Sequence, residues 1–341
     1  MDRRELLKGA LLAPLLATPA LAAKPKSKPV KPNRLAPGDT VAVVAPSSGL
    51  SAADFEKAIG NLRFLGFDLK IGKSARNRTG FLAGSDKERL ADLHQAFADP
   101  AVKAIWCLRG GYGAGRYLPE LDFGLIRRNP KILIGYSDIT ALHLAISQNT
   151  GLVTFHGPVA TSEPVEYTKK HALDILMNPS ATYRILSSEY NRAQASNLFR
   201  TEVITPGKAR GRLTGGNLSL VSALAGTPFG LRDVKGKLLF LEDVGEQPYR
   251  IDRMLTQLRQ SIDMRSLAGI ALGIFEDCNP RDPSTQTLID VLRDRLGDLG
   301  IPVIYGLSFG HIKEQFTIPM GIDAELDTEA ATVTLLEAAT V

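Results

Sequence analysis

Between residues 40 and 160 short apolar runs alternate with segments of helical period, and this alternation limits the fold more than any other feature. Thr40–Ala45, Phe67–Ile71, Val102–Leu108 and Ile132–Ile134 read as strands. Ala52–Leu65 places Phe55, Ile59 and Leu62 on one helical face, and Ser85–Ala98 does the same with Leu90, Leu93 and Phe97. Strands alternating with helices argue a parallel α/β sheet, which binds ligands at the carboxyl ends of its strands. Three conspicuous turns fall at such ends: Pro46-Ser47-Ser48-Gly49, Arg109-Gly110-Gly111-Tyr112-Gly113, and Gly135-Tyr136-Ser137-Asp138.

The 341 residues suffice for two domains. Residues 37–160 are expected to form the first domain, 161–205 a less regular crossover, and 206–341 the second domain. In that last region Lys237–Leu241, Ile270–Phe275, Val303–Tyr305 and Phe316–Pro319 read as strands. Arg250–Gln260 reads as a helix, and Ala324–Asp327 with Thr332–Leu336 as a hairpin.

The start of the chain is a separate object. Arg3-Arg4, Leu6-Leu7, Lys8, a modest apolar run and Ala20-Leu21-Ala22 follow the order of a bacterial twin-arginine export signal, so residues 1–22 are expected to direct the protein to the periplasm. No window is long enough for a membrane span. Residues 1–22 hold three basic and two acidic side chains, and residues 23–34 five basic and none acidic. The formal +5 therefore leaves −1 on the remainder. That distribution is no evidence for a nucleic-acid face on the folded body, so no nucleic-acid partner is expected, and residues 23–36 read as a solvated Pro/Lys linker. Cys107 and Cys278 could pair in an oxidising compartment or stay as buried thiols.

Ser137, between a buried strand and a helix, reads either as a nucleophile or as a helix cap. A serine hydrolase also needs a base, an orienting acid and oxyanion donors. Of five histidines, His94 and His171 look like surface residues and His143 points away from the serine turn. His156 and His311 remain, with a structural role favoured for His156. Glu242 ends an apolar strand, where an unpaired carboxylate is costly, while Asp243, Glu246 and Asp138 compete for the role of acid. Gly110, Gly111 and Gly113 could cradle a phosphate or let a backbone N–H approach an oxyanion.

Five blocks in register make the chain similar to the LD-carboxypeptidase family of serine peptidases. They are Ala104–Ala114, Ile134–Leu142, Phe155-His156-Gly157-Pro158, Leu241–Glu246, and Gly310-His311 with Pro319-Met320-Gly321. The resemblance implies an α/β fold with an N-terminal flavodoxin-like parallel sheet domain and a smaller C-terminal β/α (swivelling-type) domain. It implies a triad of Ser137, Glu242 and His311. The expected reaction removes the terminal D-alanine of a peptidoglycan tetrapeptide through an acyl-enzyme, without metal or other cofactor, in a homodimer. The oxyanion is expected on the backbone N–H of Asp138 with that of Gly110 or Gly111. Arg109, Tyr112 and Arg212 are the expected substrate-binding residues, with Arg116 and Arg250 as further candidates for the terminal carboxylate. Lys313-Glu314 departs from the family pattern after the base. Alternatives are a hydrolase of acyl-adenylate antibiotics and a non-catalytic periplasmic protein that binds cell-wall peptides.

Overall fold

A computed structural model describes residues 28–341; the expected export signal and residues 23–27 lie outside the described residues. The first half runs β1 (Thr40–Val44), α1 (Ala52–Phe64), β2 (Asp68–Ile71), α2 (Asp86–Ala98), β3 (Val102–Cys107), α3 (Phe123–Arg128), β4 (Ile132–Gly135), α4 (Thr140–Thr150) and β5 (Thr154–His156). After α5 (Glu166–Met177), β6 (Tyr183–Leu186), α6 (Glu189–Arg192) and β7 (Glu202–Thr205) come β8 (Lys208–Asn217), α7 (Leu218–Ala223), β9 (Lys237–Glu242) and α8 (Pro248–Ser261). β10 (Gly269–Gly273), α9 (Leu288–Leu296), β11 (Val303–Leu307), β12 (Ile318–Met320), β13 (Asp323–Asp327) and β14 (Thr332–Leu335) complete the chain.

The strands form two sheets. In the first, β2-β1-β3-β4-β5 are all parallel, the flavodoxin-type order, and β12 is added antiparallel beside β5. The second has the order β6-β14-β13-β8-β9-β10-β11-β7, with β8 to β11 parallel at its centre. The local causes are ordinary. β4 is buried along its length, as a central parallel strand requires. Ser51 caps α1, and Ser85 with Glu88 closes a capping box on α2. Among the described residues no helix is long and apolar enough to cross a membrane.

Three expectations change. The Phe316–Pro319 strand belongs to the first sheet and not the second, because its backbone finds the free edge of β5. The expected crossover supplies β6 and β7, which pair antiparallel with β14 and β11 at the two edges of the second sheet. The solvated-linker reading fails for residues 28–36. Val30 exchanges backbone hydrogen bonds with Gly151 and Val153, Leu35 is buried, and Lys31 pairs with Glu337 at 2.7 Å. Charge content suggested solvation, whereas backbone pairing and one buried leucine hold the segment to the body.

The parallel strands point the same way within each sheet, so the segments after β1, β3 and β4 share one edge of the first sheet. Those after β8, β9 and β11 share one edge of the second. Where the two meet, the Asn217 N–H donates to Thr140 Oγ1 at 2.9 Å.

Candidate active site

Ser137 follows β4 and opens a short helical turn that leads into α4. Its φ is +64°, a left-handed conformation that a residue with a Cβ adopts only when its surroundings impose it. The loop after β3 packs directly against it. Gly110 is packed so closely that a Cβ there would lie 2.7 Å from Ser137 Cβ and 3.1 Å from the Asp138 nitrogen. Asp138 itself points away from the cleft. Its carboxylate accepts from Ser47 Oγ at 2.5 Å and from the Ala114 N–H at 2.8 Å, tying the ends of β1, β3 and β4 together. Burial raises the Asp138 pKa against these hydrogen bonds. Asp138 is therefore not the acid of a histidine; its backbone N–H lies beside Ser137 and Gly110.

Glu242, the last residue of β9, is fully buried, and its Oε2 lies 2.7 Å from His311 Nδ1. Burial alone would raise the carboxyl pKa, but the charge and hydrogen bond of His311 hold it below the usual value. Burial alone would lower His311, but Glu242, with Asp243 and Glu276 behind it, keeps that imidazole above its ordinary value. With a carboxylate on Nδ1, that nitrogen carries the proton and Nε2 is left free to accept one. The Tyr136 ring meets His311 edge to face at 4.8 Å.

The competing residues are occupied elsewhere. Asp243 accepts from the Ser219 N–H and Oγ and from Asn217 at the start of α7, and burial raises its pKa to about 6. Glu246 pairs with Arg250 across one turn. His143 is buried and donates from Nε2 to the Gly135 carbonyl at 2.8 Å. His94 accepts the Asp122 N–H. His171 is a correction: it is buried and joined to the Tyr183 hydroxyl, because its helix packs that face inward. His156 is fully buried, away from the cleft. Cys107 and Cys278 are both free and buried, with the Cys278 thiol pushed up to about 12 by burial.

Ser137 and His311 line one cleft of about 490 Å³, together with Gly110, Gly111, Arg109 and Tyr136. Among the described residues Arg109 has no carboxylate partner. Arg116 is bound to Asp86, and Arg250 to Glu246. Arg212 does not reach the site. It lies five residues before the carboxyl end of β8, about 16 Å along an extended strand, opposite Asp323. Tyr112 packs on Phe81 outside the cleft lining. Lys313 lies over the Tyr190 ring, and the Glu314 carboxylate accepts from Ser188.

Sequence reasoning missed Ser47 and Ser48, which hold the loops beside Ser137; Ser48 takes the Tyr112 N–H on its hydroxyl. The Ser-Ser turn after β1 was a visible signal, but hydroxyls in turns are too common to single out. It also missed Asp54 and Lys57, which line the cleft from α1.

Residues 41–157 match the model of the LD-carboxypeptidase N-terminal domain, and residues 210–326 that of the LD-carboxypeptidase C-terminal domain. A "Probable murein peptide carboxypeptidase" of Bacillus subtilis (strain 168) is 43% identical over 306 residues, covering 89% of this chain and 94% of that protein. Among solved structures, the muramoyltetrapeptide carboxypeptidase of Oxalobacter formigenes is 30% identical with a TM-score of 0.74, covering 87% of this chain and 97% of that one. The microcin C7 self immunity protein MccF is 26% identical with a TM-score of 0.84, covering 92% of this chain and 100% of that one.

Proposed function

The chain belongs to the LD-carboxypeptidase family of serine peptidases, and from that premise we propose that it removes the terminal D-alanine from peptidoglycan tetrapeptides, cleaving the L,D bond after the third residue. One observation carries the reading: a buried Glu242–His311 pair opens into the same cleft as a serine held at positive φ. Ser137 Oγ attacks the scissile carbonyl while His311 Nε2 takes its proton, and Glu242 stabilises the imidazolium that forms. The developing oxyanion is met by the backbone N–H of Asp138 and one from Gly110 or Gly111. His311 returns the proton to the amine of the departing D-alanine. Water then attacks the acyl-enzyme with His311 as base, releasing the tripeptide. Arg109 takes the terminal carboxylate of the substrate, for which a guanidinium is suited bidentately.

Hydrolysis of acyl-adenylate antibiotics uses the same triad and is the second reading, supported by the likeness to MccF. The peptide is the first reading because, among the cleft's described lining residues, the aromatic one is Tyr136, which already meets His311 edge to face and has no second aromatic ring opposite it to sandwich a purine. Incubation with a muropeptide tetrapeptide, read by mass spectrometry, decides. Loss of one alanine by wild type and none by Ser137→Ala is expected. An untouched tetrapeptide beside a cleaved peptidyl-adenylate would replace the first reading by the second. Export to the periplasm and a homodimer complete the proposal, to be read by a reporter fused to residues 1–34 and by light scattering.

A further inference from the structure

Only half of the Glu242 carboxylate is used by His311. The other oxygen, Oε1, has no hydrogen-bond partner among the described residues although it is completely buried. At 3.9 Å from it lies Nε2 of His156, also completely buried, and among the described residues neither ring nitrogen of His156 has a hydrogen-bond partner. The polar neighbour is Asn217, whose amide also acts on the Glu242 carboxylate while it donates to Asp243 Oδ1 at 3.2 Å; the rest of the surroundings give little relief. The His156 ring is bounded by Phe240 at 5.4 Å, Tyr136 at 6.1 Å, and Phe309 and His143 at 6.5 Å. A buried carboxylate oxygen facing a buried imidazole nitrogen, both unmatched and about 1 Å farther apart than in a typical N–H···O bond, is a contact that small side-chain motion closes.

The two residues come from different sheets. His156 ends β5, in register with Gly135 of β4, two residues before Ser137, and with Ile318 of β12. Glu242 ends β9 of the second sheet. We propose that His156 is a positioning residue whose Nε2–H holds Oε1 of Glu242, so that the sheet carrying the nucleophile fixes the direction in which the second sheet's acid presents Oε2 to His311. It is not a second base, since it does not line the cleft. This inference rests on the Ser137–Glu242–His311 reading above.

The groups facing this contact are Glu242, His311 and, across the ring, His143; Asp243 and Glu276 also act on His311. If Glu242 is released, its influence on His311 weakens and the imidazole titrates at lower pH. Two readouts follow in wild type, His156→Leu and His156→Gln: kcat and KM on a muropeptide tetrapeptide, and the midpoint of the His311 ring signal by NMR. His156→Leu should lower kcat about 10- to 100-fold, as expected for misplaced catalytic groups, with KM within about twofold. Its His311 midpoint should move down. His156→Gln keeps an amide N–H near the Nε2 position and should recover kcat to within about fivefold, together with the midpoint. Unchanged kcat and midpoint in His156→Leu would overturn the proposal. So would equal losses in both variants at a wild-type midpoint, which mark a packing role alone. If His156→Leu does not fold, His156→Asn, whose amide is too short, takes its place in the same comparison. Should wild type leave the tetrapeptide intact, the substrate reading falls, and the NMR midpoints still decide the role of His156.

Discussion

Ser137 gathers most of the residue-scale chemistry into one dihedral angle. A left-handed φ costs a residue with a Cβ about 1–2 kcal/mol, and the ties from Asp138 to Ser47 and Ala114 hold the turn in place. Glycine accepts that conformation freely but gains about 0.5–1 kcal/mol of unfolded-state freedom in exchange. The two effects predict that Ser137→Gly, though inactive, is more stable than Ser137→Ala by about 0.5–1 kcal/mol. Urea denaturation of the two variants tests this, and an alanine variant of equal or greater stability would mean that the turn is not strained. The sequence placed the serine after a buried strand, but not its sign of φ. That turn sits against Gly110, whose position depends on the neighbouring strand β3.

At the scale of elements, β8 was the least legible. Gly211-Arg212-Leu213-Thr214-Gly215-Gly216-Asn217 marked the start of a second region but did not read as the end of a ten-residue strand, because glycine is depleted in strands. The glycines are needed for close approach. A Cβ at Gly215 would lie 1.8 Å from the Phe240 carbonyl oxygen, and one at Gly216 2.5 Å from Thr140 Oγ1 at the head of α4. Both have φ near +135°. Gly216 thus allows the second sheet to reach the helix that follows Ser137. Gly216→Ala should destabilise the protein by about 1–3 kcal/mol from backbone strain and lower activity as the Asn217–Thr140 hydrogen bond is forced apart. Thermal melts and tetrapeptide turnover measure the two effects; wild-type values in both would contradict the close-approach argument.

The whole molecule responds to pH through its buried histidines. Burial pulls His143 down to about 3 and His156 to about 4 from an ordinary 6.5, and His171 likewise to about 4. Below pH 6.5 the unfolded chain binds protons at these positions that the folded chain refuses, so stability falls as pH falls from 6.5 towards 4. Each site contributes up to about 1.4 kcal/mol per pH unit. His311 acts in the opposite sense: its raised folded value contributes stability below its unfolded value, lost as pH rises through the folded one. His94 is lowered by burial as well, while Asp243, raised to about 6, and Asp138 and Glu276, also raised, act in the same sense as His311. The histidines have the higher unfolded-state pKa and so act over the wider range of pH, which leaves a net loss, and the urea midpoint at pH 5 should lie below that at pH 7.5. Equal midpoints would show that these imidazoles are not held neutral.

The alternation of apolar runs with helical periods sufficed to determine a parallel first sheet and to put Ser137, Ser47 and the Gly110–Gly113 loop at its carboxyl edge, because periodicity and turn chemistry are local properties. What it could not supply were the contacts made across the chain. Among them are the return of β12 to the first sheet, the packing of residues 28–36, and the pairing of Glu242 with His311 over 69 positions. Glu242, Asp243 and Glu246 lie within five residues and differ little as sequence; only the packed second sheet gives them different partners. Burial and direction decide which carboxylate meets a histidine, and both are properties of the tertiary structure.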